Sequence, residues 1–456
     1  MLTGLPTLPE IDGYLRHAVD VEPLPRGPLA AHTVAAELSR LGLAPGDVVL
    51  VRLPNCVPML TSFFGVLFAG GVPVPVPASA GEARVRELAA AFGARFVVVV
   101  HGSTRIERHE LGCVDVVVLT PGEVPPHEPG EVVIPTSGTS GLLSGCVHRA
   151  SSLLRNGSRH VRAVGLRGGD RVLVTLPLNY SYALVAQAMA SLVAGAHLVI
   201  SPPPLGAAAY RALLARHRIT STSLTPHTVK TLTGGDWRPG SLRMLTVGGD
   251  ALEPAVATRL LAQAPEGELY LTYGLTEAGP RVSTLAAHAE PPRLLSSVGR
   301  PLPEVRVTVR DPDAEGVGEL VVESDTVMLR RTGLVDGRRD DLHAPGRIVT
   351  GDLFRVDEGG NLHFRGRGSD FLIRRGQKVS LPSVRRVTSA MPEVVSCSTR
   401  VEPGEDGDPR YGLDVYVVKP DPVAAERIRS ALVRRFARAE RPDHIRVLPH
   451  DPERHK

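Results

Sequence analysis

Residues 47–100 have the sequence DVVLVRLPNCVPMLTSFFGVLFAGGVPVPVPASAGEARVRELAAAFGARFVVVV. Three runs rich in β-branched residues (VVLVRL, VPVPVP, RFVVVV) are separated by two helix-length segments, VPMLTSFFGVLFAGG and GEARVRELAAAFG. β-Branched side chains fit a pleated surface. These runs show little alternation of polarity, which predicts strands covered on both faces. Strand, helix, strand, helix, strand in that order predicts βαβ units and a mainly parallel sheet.

Outward from this stretch the pattern holds. AHTVAAELSRLGL before it predicts an amphipathic helix closed by the turn Ala44-Pro45-Gly46-Asp47. Downstream come the strand VLVTLPL, a helix over 183–194, the strand AHLVIS, a helix over 207–217 and the strand MLTVGG. After about residue 300 the segments VRVTVR, GELVVES and GNLHFRGR are short, alternating and turn-bounded, which predicts an antiparallel, barrel-like subdomain. From residue 371 a basic hairpin, the strand YGLDVYVV and the helix AAERIRSALVRRFAR predict a separate mixed unit. The expected fold class is therefore α/β. Residues 1–368 form a large N-terminal domain of mixed, mainly parallel sheets with helices, and residues 300–368 of it are barrel-like. Residues 369–456 form a small α+β domain.

The 456 residues are 43% hydrophobic and 22% charged, enough apolar material for a large core and two or three domains. The net charge of +4 is spread along the chain with no basic run interleaved with aromatics, which argues against nucleic acid as a partner. Cys56, Cys113, Cys146 and Cys397 share no metal-ligand or redox spacing, so a reducing, cytoplasmic compartment is expected. The opening MLTGLPTLPEIDGYLRHAVD lacks the basic start and apolar core of a signal peptide. Apolar runs such as 96–100 are strand-sized and too short to span a bilayer.

Three segments carry chemistry. In VVIPTSGTSGLLSGCVH, residues 132–148, an apolar strand enters a loop of small hydroxyl residues and glycines. Thr136, Ser137, Thr139 and Ser140 offer donors, and Gly138, Gly141 and Gly145 permit tight turns, together a cradle for phosphate oxygens. It is not a P-loop, since GxxxxGK[ST] has no match. In YLTYGLTE, residues 270–277, Glu277 is the oxygen ligand a hard cation needs, Thr276 a phosphoryl donor and Tyr273 a flat face. In TGD, residues 350–352, Asp352 suits a ribose diol, and Arg367 further on suits a phosphate or sugar oxygen.

TSGTSG, YGLTE, TGD and GRxxD in that order resemble the adenylate-forming superfamily of acyl-CoA synthetases, adenylation domains and luciferases. LGLAPGDVVLVRLPN, LFAGGVPVPVP, VGRPLPEVRV and GELVVES extend the resemblance through most of the chain. The resemblance implies ATP and Mg²⁺ as cofactors, with Thr136, Ser137, Gly138, Thr139, Ser140 and Gly141 on the β- and γ-phosphates. It implies Gly249, Asp250 and Ala251 at the adenine, Tyr273 stacked on the base beside Gly274, and Thr276 at the α-phosphate. Glu277 would be the metal ligand, and Asp352 would hold the ribose with Arg367 nearby. Asn179, Tyr180, Ser181, Tyr182, Thr225, Pro226 and Gly248 would wall the acid pocket. Serine at 181, near where amino-acid activators place an aspartate, argues against an α-amino acid. The acyl acceptor would be CoA or a phosphopantetheine carrier protein. Arg374, Arg375, Lys378, Arg385 and Arg386 would face it from the lid, the small C-terminal domain that swings between the two reaction steps. An amine acceptor and a degenerate nucleotide-binding protein are the alternatives.

The sequence departs from that pattern. Ser144 stands where the family's phosphate loop carries a lysine, and Ser369 where its hinge carries an aspartate. The family's catalytic lysine follows a glycine near the C-terminus. Here VLPHDPERHK ends the chain, and Lys456 is either that catalytic residue on a terminal tail or unrelated to it. In the second case His148 or Arg149 would be the remaining basic groups near the loop.

Overall fold

The computed structural model describes residues 4–104, 107–137, 143–203, 206–232, 240–333, 342–367, 371–374, 377–402, 410–418, 422–435 and 441–450. The chain divides into two compact units. The first is Met1–Arg310, Leu320–Thr350 and Val356–His363; the second is Asp311–Glu319, Gly351–Arg355 and Phe364–Lys456.

In the first unit the opening stretch forms a five-stranded sheet in the order Val72–Pro75, Val48–Arg52, Ala94–Val100, Val114–Val118, His109–Leu111. The first three strands run parallel, and the last two join antiparallel. Val48 to Val51 are all buried, as their lack of alternation requires. The helix Val57–Phe68 starts on Pro58, whose fixed φ suits a first turn, and is buried on almost every side.

An eight-stranded sheet carries the next stretch. Its order is Val19–Asp20, His197–Ile200, Arg171–Val174, Ser221–Leu224, Met244–Val247, Glu268–Gly274, Arg281–Ala286, Arg300–Pro301. Pairing is parallel as far as Glu268–Gly274, after which the chain turns back antiparallel. The helix expected over 183–194 is present with a wider turn inside it: Ser181–Ala183 is α, Leu184–Met189 is π and Ala190–Ala194 is α. Single π-turns of this kind gather at functional sites.

A three-stranded antiparallel sheet holds Glu131–Ser137, Leu143–Arg149 and Arg330–Gly333, with Leu143–Arg149 in the middle. Glu131 is buried there. It accepts from Arg330 at both oxygens at 2.7 Å, and its Oε2 lies 3.0 Å from His127 Nδ1. Between Arg306 and Arg367 the strands Arg306–Arg310, Val317–Glu323, Arg347–Val356 and Leu342–Ala344 lie in that order, with Leu362–Arg367 beside Arg347–Val356.

In the second unit the hairpin Phe371–Arg374 and Gln377–Ser380 leads into the helix Leu381–Ser389. Arg410–Val417 is the centre of a three-stranded sheet, antiparallel to Ser396–Glu402 and parallel to His444–Pro449. Tyr411, Leu413, Val415, Ile428 and Leu432 fill its core. Asp414 within it accepts from Arg400 at 2.8 Å and from Arg446 at 2.7 and 2.6 Å. No described helix is long and apolar enough to cross a membrane.

Candidate active site

Parallel α/β sheets open their crevices at the carboxyl ends of the strands. There the eight-stranded sheet gathers most of the residues singled out in the sequence. Strand Glu268–Gly274 ends in the short 3₁₀ turn Thr276–Ala278. The turn is fixed from outside its own segment. Leu275 N donates to Pro280 O at 3.0 Å, Met328 N to Glu277 O at 2.8 Å, and Thr326 Oγ1 to Ala278 O at 2.9 Å. Leu329 N then reaches Val147 O at 2.7 Å, so the 326–329 segment joins this turn to the strand Leu143–Arg149.

Two of the residues singled out in the sequence lie in the turn. The Thr276 hydroxyl lies 2.9 Å from Ser181 Oγ, at the start of the helix that follows Asn179 and Tyr180. Glu277 Oε1 accepts from Arg331 Nη2 at 2.9 Å, with both side chains about four-fifths buried. Arg331 Nη1 is also 4.0 Å from Cys146 Sγ. Arg331 was not among the sequence candidates. Its signal was the arginine pair in VMLRRTG, which by itself reads as an exposed charge.

The adjoining wall is built from Tyr182, Gly248, Gly249 and Thr225. Tyr182 OH is 3.5 Å from Thr246 Oγ1, which is 2.6 Å from Ser223 Oγ. A Cβ on Gly248 would stand 2.3 Å from Thr272 Oγ1 and 3.2 Å from Arg281 Nη1, so no side chain fits. Gly249 takes φ +89°, and a Cβ there would meet Thr225 and Tyr182 in ordinary contact. Thr225 Oγ1 accepts from Thr228 N at 3.3 Å and so opens the helix Pro226–Leu232. Asp250 turns back on its own neighbour, accepting from Ala251 N at 2.8 Å. Tyr273 and Gly274 close the strand before the turn, and Gly274 leaves no room for a Cβ, which would fall 2.2 Å from Pro280 O.

In the phosphate-loop hairpin, Thr136 Oγ1 lies 3.0 Å from Ser144 Oγ and 3.3 Å from Ser144 O. Ser137 ends its strand. Gly138, Thr139, Ser140 and Gly141 lie outside the described residues, as do Ser369, Arg375 and Lys456. The side chains of Arg374, Lys378 and Arg386 also lie outside them; Arg385 Nη1 donates to Thr399 Oγ1 at 2.7 Å. Asp352 and Arg367 belong to the second unit, where Arg367 Nε sits 3.2 Å from Asp352 Oδ1.

His148 is fully buried in the strand Leu143–Arg149. Burial pushes its imidazole down to about 4, against the backbone of Thr276 and Thr326. It is neutral at pH 7 and supplies no cation there. Arg149 pairs instead with Glu128 at 2.5 Å on the exposed side.

The donor set suits a hard cation that keeps most of its ligands from elsewhere. Glu277 offers one carboxylate from the turn that also carries the Thr276 hydroxyl, and no group of three His, Cys, Asp or Glu gathers among the described residues. Mg²⁺ characteristically takes one or two protein carboxylates and completes its shell with phosphate oxygens and water.

This architecture is that of adenylate-forming enzymes. The family model of AMP-binding enzymes matches residues 29–330, and the chain belongs to that family. It is similar to the sulfoacetate–CoA ligase of Cupriavidus necator, 28% identical over 92% of this chain and 88% of that protein. It is also similar to the salicyl-AMP ligase / salicyl-S-ArCP synthetase of Mycobacterium tuberculosis, 26% identical over 92% of this chain and 80% of that one. In fold it matches the crystal structure of the anthranilate CoA ligase AuaEII in complex with anthranoyl-AMP. The TM-score is 0.77 at 18% identity, covering 99% of this chain and 96% of that one.

Proposed function

We propose that the protein uses ATP and Mg²⁺ to convert a carboxylic acid to its acyl-adenylate and then passes the acyl group to the thiol of CoA or of a phosphopantetheine carrier protein. One observation carries the reading. The turn Thr276–Ala278 sets a hydroxyl 2.9 Å from Ser181 Oγ and, one residue on, a carboxylate paired with Arg331.

The chemistry asks for such an arrangement. A carboxylate oxygen attacks the α-phosphorus, the bond to the bridging oxygen breaks, and pyrophosphate leaves with the electron pair. Both reactants are anionic, so oriented donors and cations must offset their repulsion and the charge on the leaving group. A bound Mg²⁺ supplies charge neutralisation on the phosphate oxygens. Thr276 donates to a phosphoryl oxygen, Glu277 orients the metal, and Thr136, Ser137 and the loop after them cradle the outer phosphates. Tyr273, Gly249, Asp250 and Ala251 form the adenine side, and Asp352 with Arg367 takes the ribose. In the second step a thiolate attacks the acyl carbonyl and AMP departs. Residues 369–456 act as the mobile lid, hinged at Ser369, that carries the acceptor-facing basic residues. Lys456 is the candidate lysine for the first step. A cytoplasmic setting fits the four cysteines, of which Cys56, Cys113 and Cys146 are buried thiols.

Acid-dependent exchange of pyrophosphate into ATP tests the first step, and product mass after addition of CoA, a carrier protein or an amine identifies the acceptor. A broad acid panel that gives neither exchange nor AMP would overturn the reading.

A further inference from the structure

Arg281 opens the strand Arg281–Ala286 and is 2% exposed. Its backbone is clamped by Asn156, whose Nδ2 donates to Arg281 O at 3.0 Å and whose Oδ1 accepts from Arg281 N at 2.9 Å. The guanidinium lies 3.8 Å over the face of Tyr182, and Nη1 donates to Thr272 Oγ1 at 2.8 Å. Nε and Nη2 are buried with no hydrogen-bond partner. No described carboxylate pairs with it. The titratable group beside it, His160, is buried and held well below its ordinary value, by burial first and by the Arg281 charge second.

A buried charge without a counter-ion is costly, and planar guanidinium donors left open match a carboxylate, sulfonate or phosphonate. Gly248 packs against the same guanidinium, since a Cβ there would come within 3.2 Å of Nη1. Tyr182 and Gly248 also belong to the wall beside Thr276. The anion that Arg281 awaits is not the reacting carboxylate. A two-pronged guanidinium clamp would occupy both of its oxygens and draw off the charge that attacks phosphorus.

We propose that Arg281, stacked on Tyr182 and edged by Gly248, recognises a second anionic oxygen-acid group on the substrate, so that the acid activated is a dianion. The inference rests on the adenylation reading and narrows its substrate class. The shared chemistry is an anionic oxygen group at the far end of a carboxylic acid, whether carboxylate, sulfonate or phosphonate.

The test compares matched acids in pyrophosphate exchange with the full-length wild-type chain: butyrate against succinate, sulfopropionate and phosphonopropionate, and benzoate against phthalate and sulfobenzoate. In at least one series a dianionic member is preferred in kcat/KM by roughly 100-fold or more, and the preferred member names the group. Arg281→Gln then loses that preference by a similar factor while KM for ATP stays in place. The wild-type comparison decides the matter even where the variant folds poorly. Exchange that is as good or better with the monoanions overturns the inference and leaves adenylation standing. No exchange with any acid, in a protein that still binds ATP, overturns the adenylation reading and the inference with it.

Discussion

Arg331 reaches across from the strand Arg330–Gly333 to hold Glu277, Nη2 to Oε1 at 2.9 Å. The register pairs Arg331 with Cys146 and Gly333 with Ser144, so the Arg331 side chain shares a face with Cys146 and Ser144. Residues 132–147 contain no lysine or arginine. Arg331 places a cation on that face, from the strand paired with Leu143–Arg149.

Arg331→Ala is expected to raise KM for ATP roughly tenfold, the scale of one charge-assisted hydrogen bond to phosphate, and to leave KM for the acid in place. Arg331→Lys recovers part of the loss because the charge remains and the planar fork does not. Pyrophosphate exchange at varied ATP measures both, and an unchanged KM for ATP in Arg331→Ala would remove this role.

Glu277→Gln keeps the side-chain shape and its bond to Arg331 and removes the negative charge. The Mg²⁺ concentration needed for half-maximal exchange is expected to rise about tenfold, because a neutral amide is a poorer ligand for a hard cation. A magnesium titration at fixed ATP reads this. A curve that superimposes on the wild type would place the metal elsewhere.

The acid stability of the first unit is expected to depend on Glu131. Burial pushes its carboxyl up, but hydrogen bonds from His127, Arg330 and the Glu128 backbone, with the Arg330 charge, outweigh that and hold it at about 2. The unfolded chain takes up this proton near 4.5 and the folded chain only near 2, so stability from this group is complete above 4.5 and drains away as pH falls to 2. Glu131→Gln keeps a hydrogen bond to Arg330 but loses the charge, so it should lose about 3 kcal/mol at pH 7 and show a flatter decline between pH 4.5 and 2. Thermal melts across that range check it; a parallel decline in both proteins would refute it.

Gly248→Ala drives a Cβ to within 2.3 Å of Thr272 Oγ1 and 3.0 Å of Thr272 O. Backbone must move, at a cost of about 1–3 kcal/mol, and the wall between Tyr182 and Arg281 moves with it. A lowered melting temperature together with a raised KM for the acid is the expected result. A variant with wild-type values for both would show that the wall is not packed at this point.

Much of this was legible in the chain itself. The unalternating valine runs at 48–51 and 96–100 called for strands covered on both faces, and helix-length segments between them called for a parallel sheet. Periodicity is a local property, so a linear text records it. The small-residue loop after Ile134 and the YGLTE segment were likewise visible, because phosphate and metal chemistry draw on particular residue types at close spacing. The partners of those residues were not. Arg331 is 54 positions from Glu277, Asn156 is 125 from Arg281, and Ser181 is 95 from Thr276. Each pairing depends on strand register and on a turn pinned by the 326–328 segment, and such register is set by packing across the whole sheet. Residue type thus marked where anion chemistry is expected, because that chemistry calls for particular groups, while only the folded chain decided which distant side chains stand there, Arg331 on Glu277 and Arg281 over Tyr182, because tertiary packing alone sets those pairings.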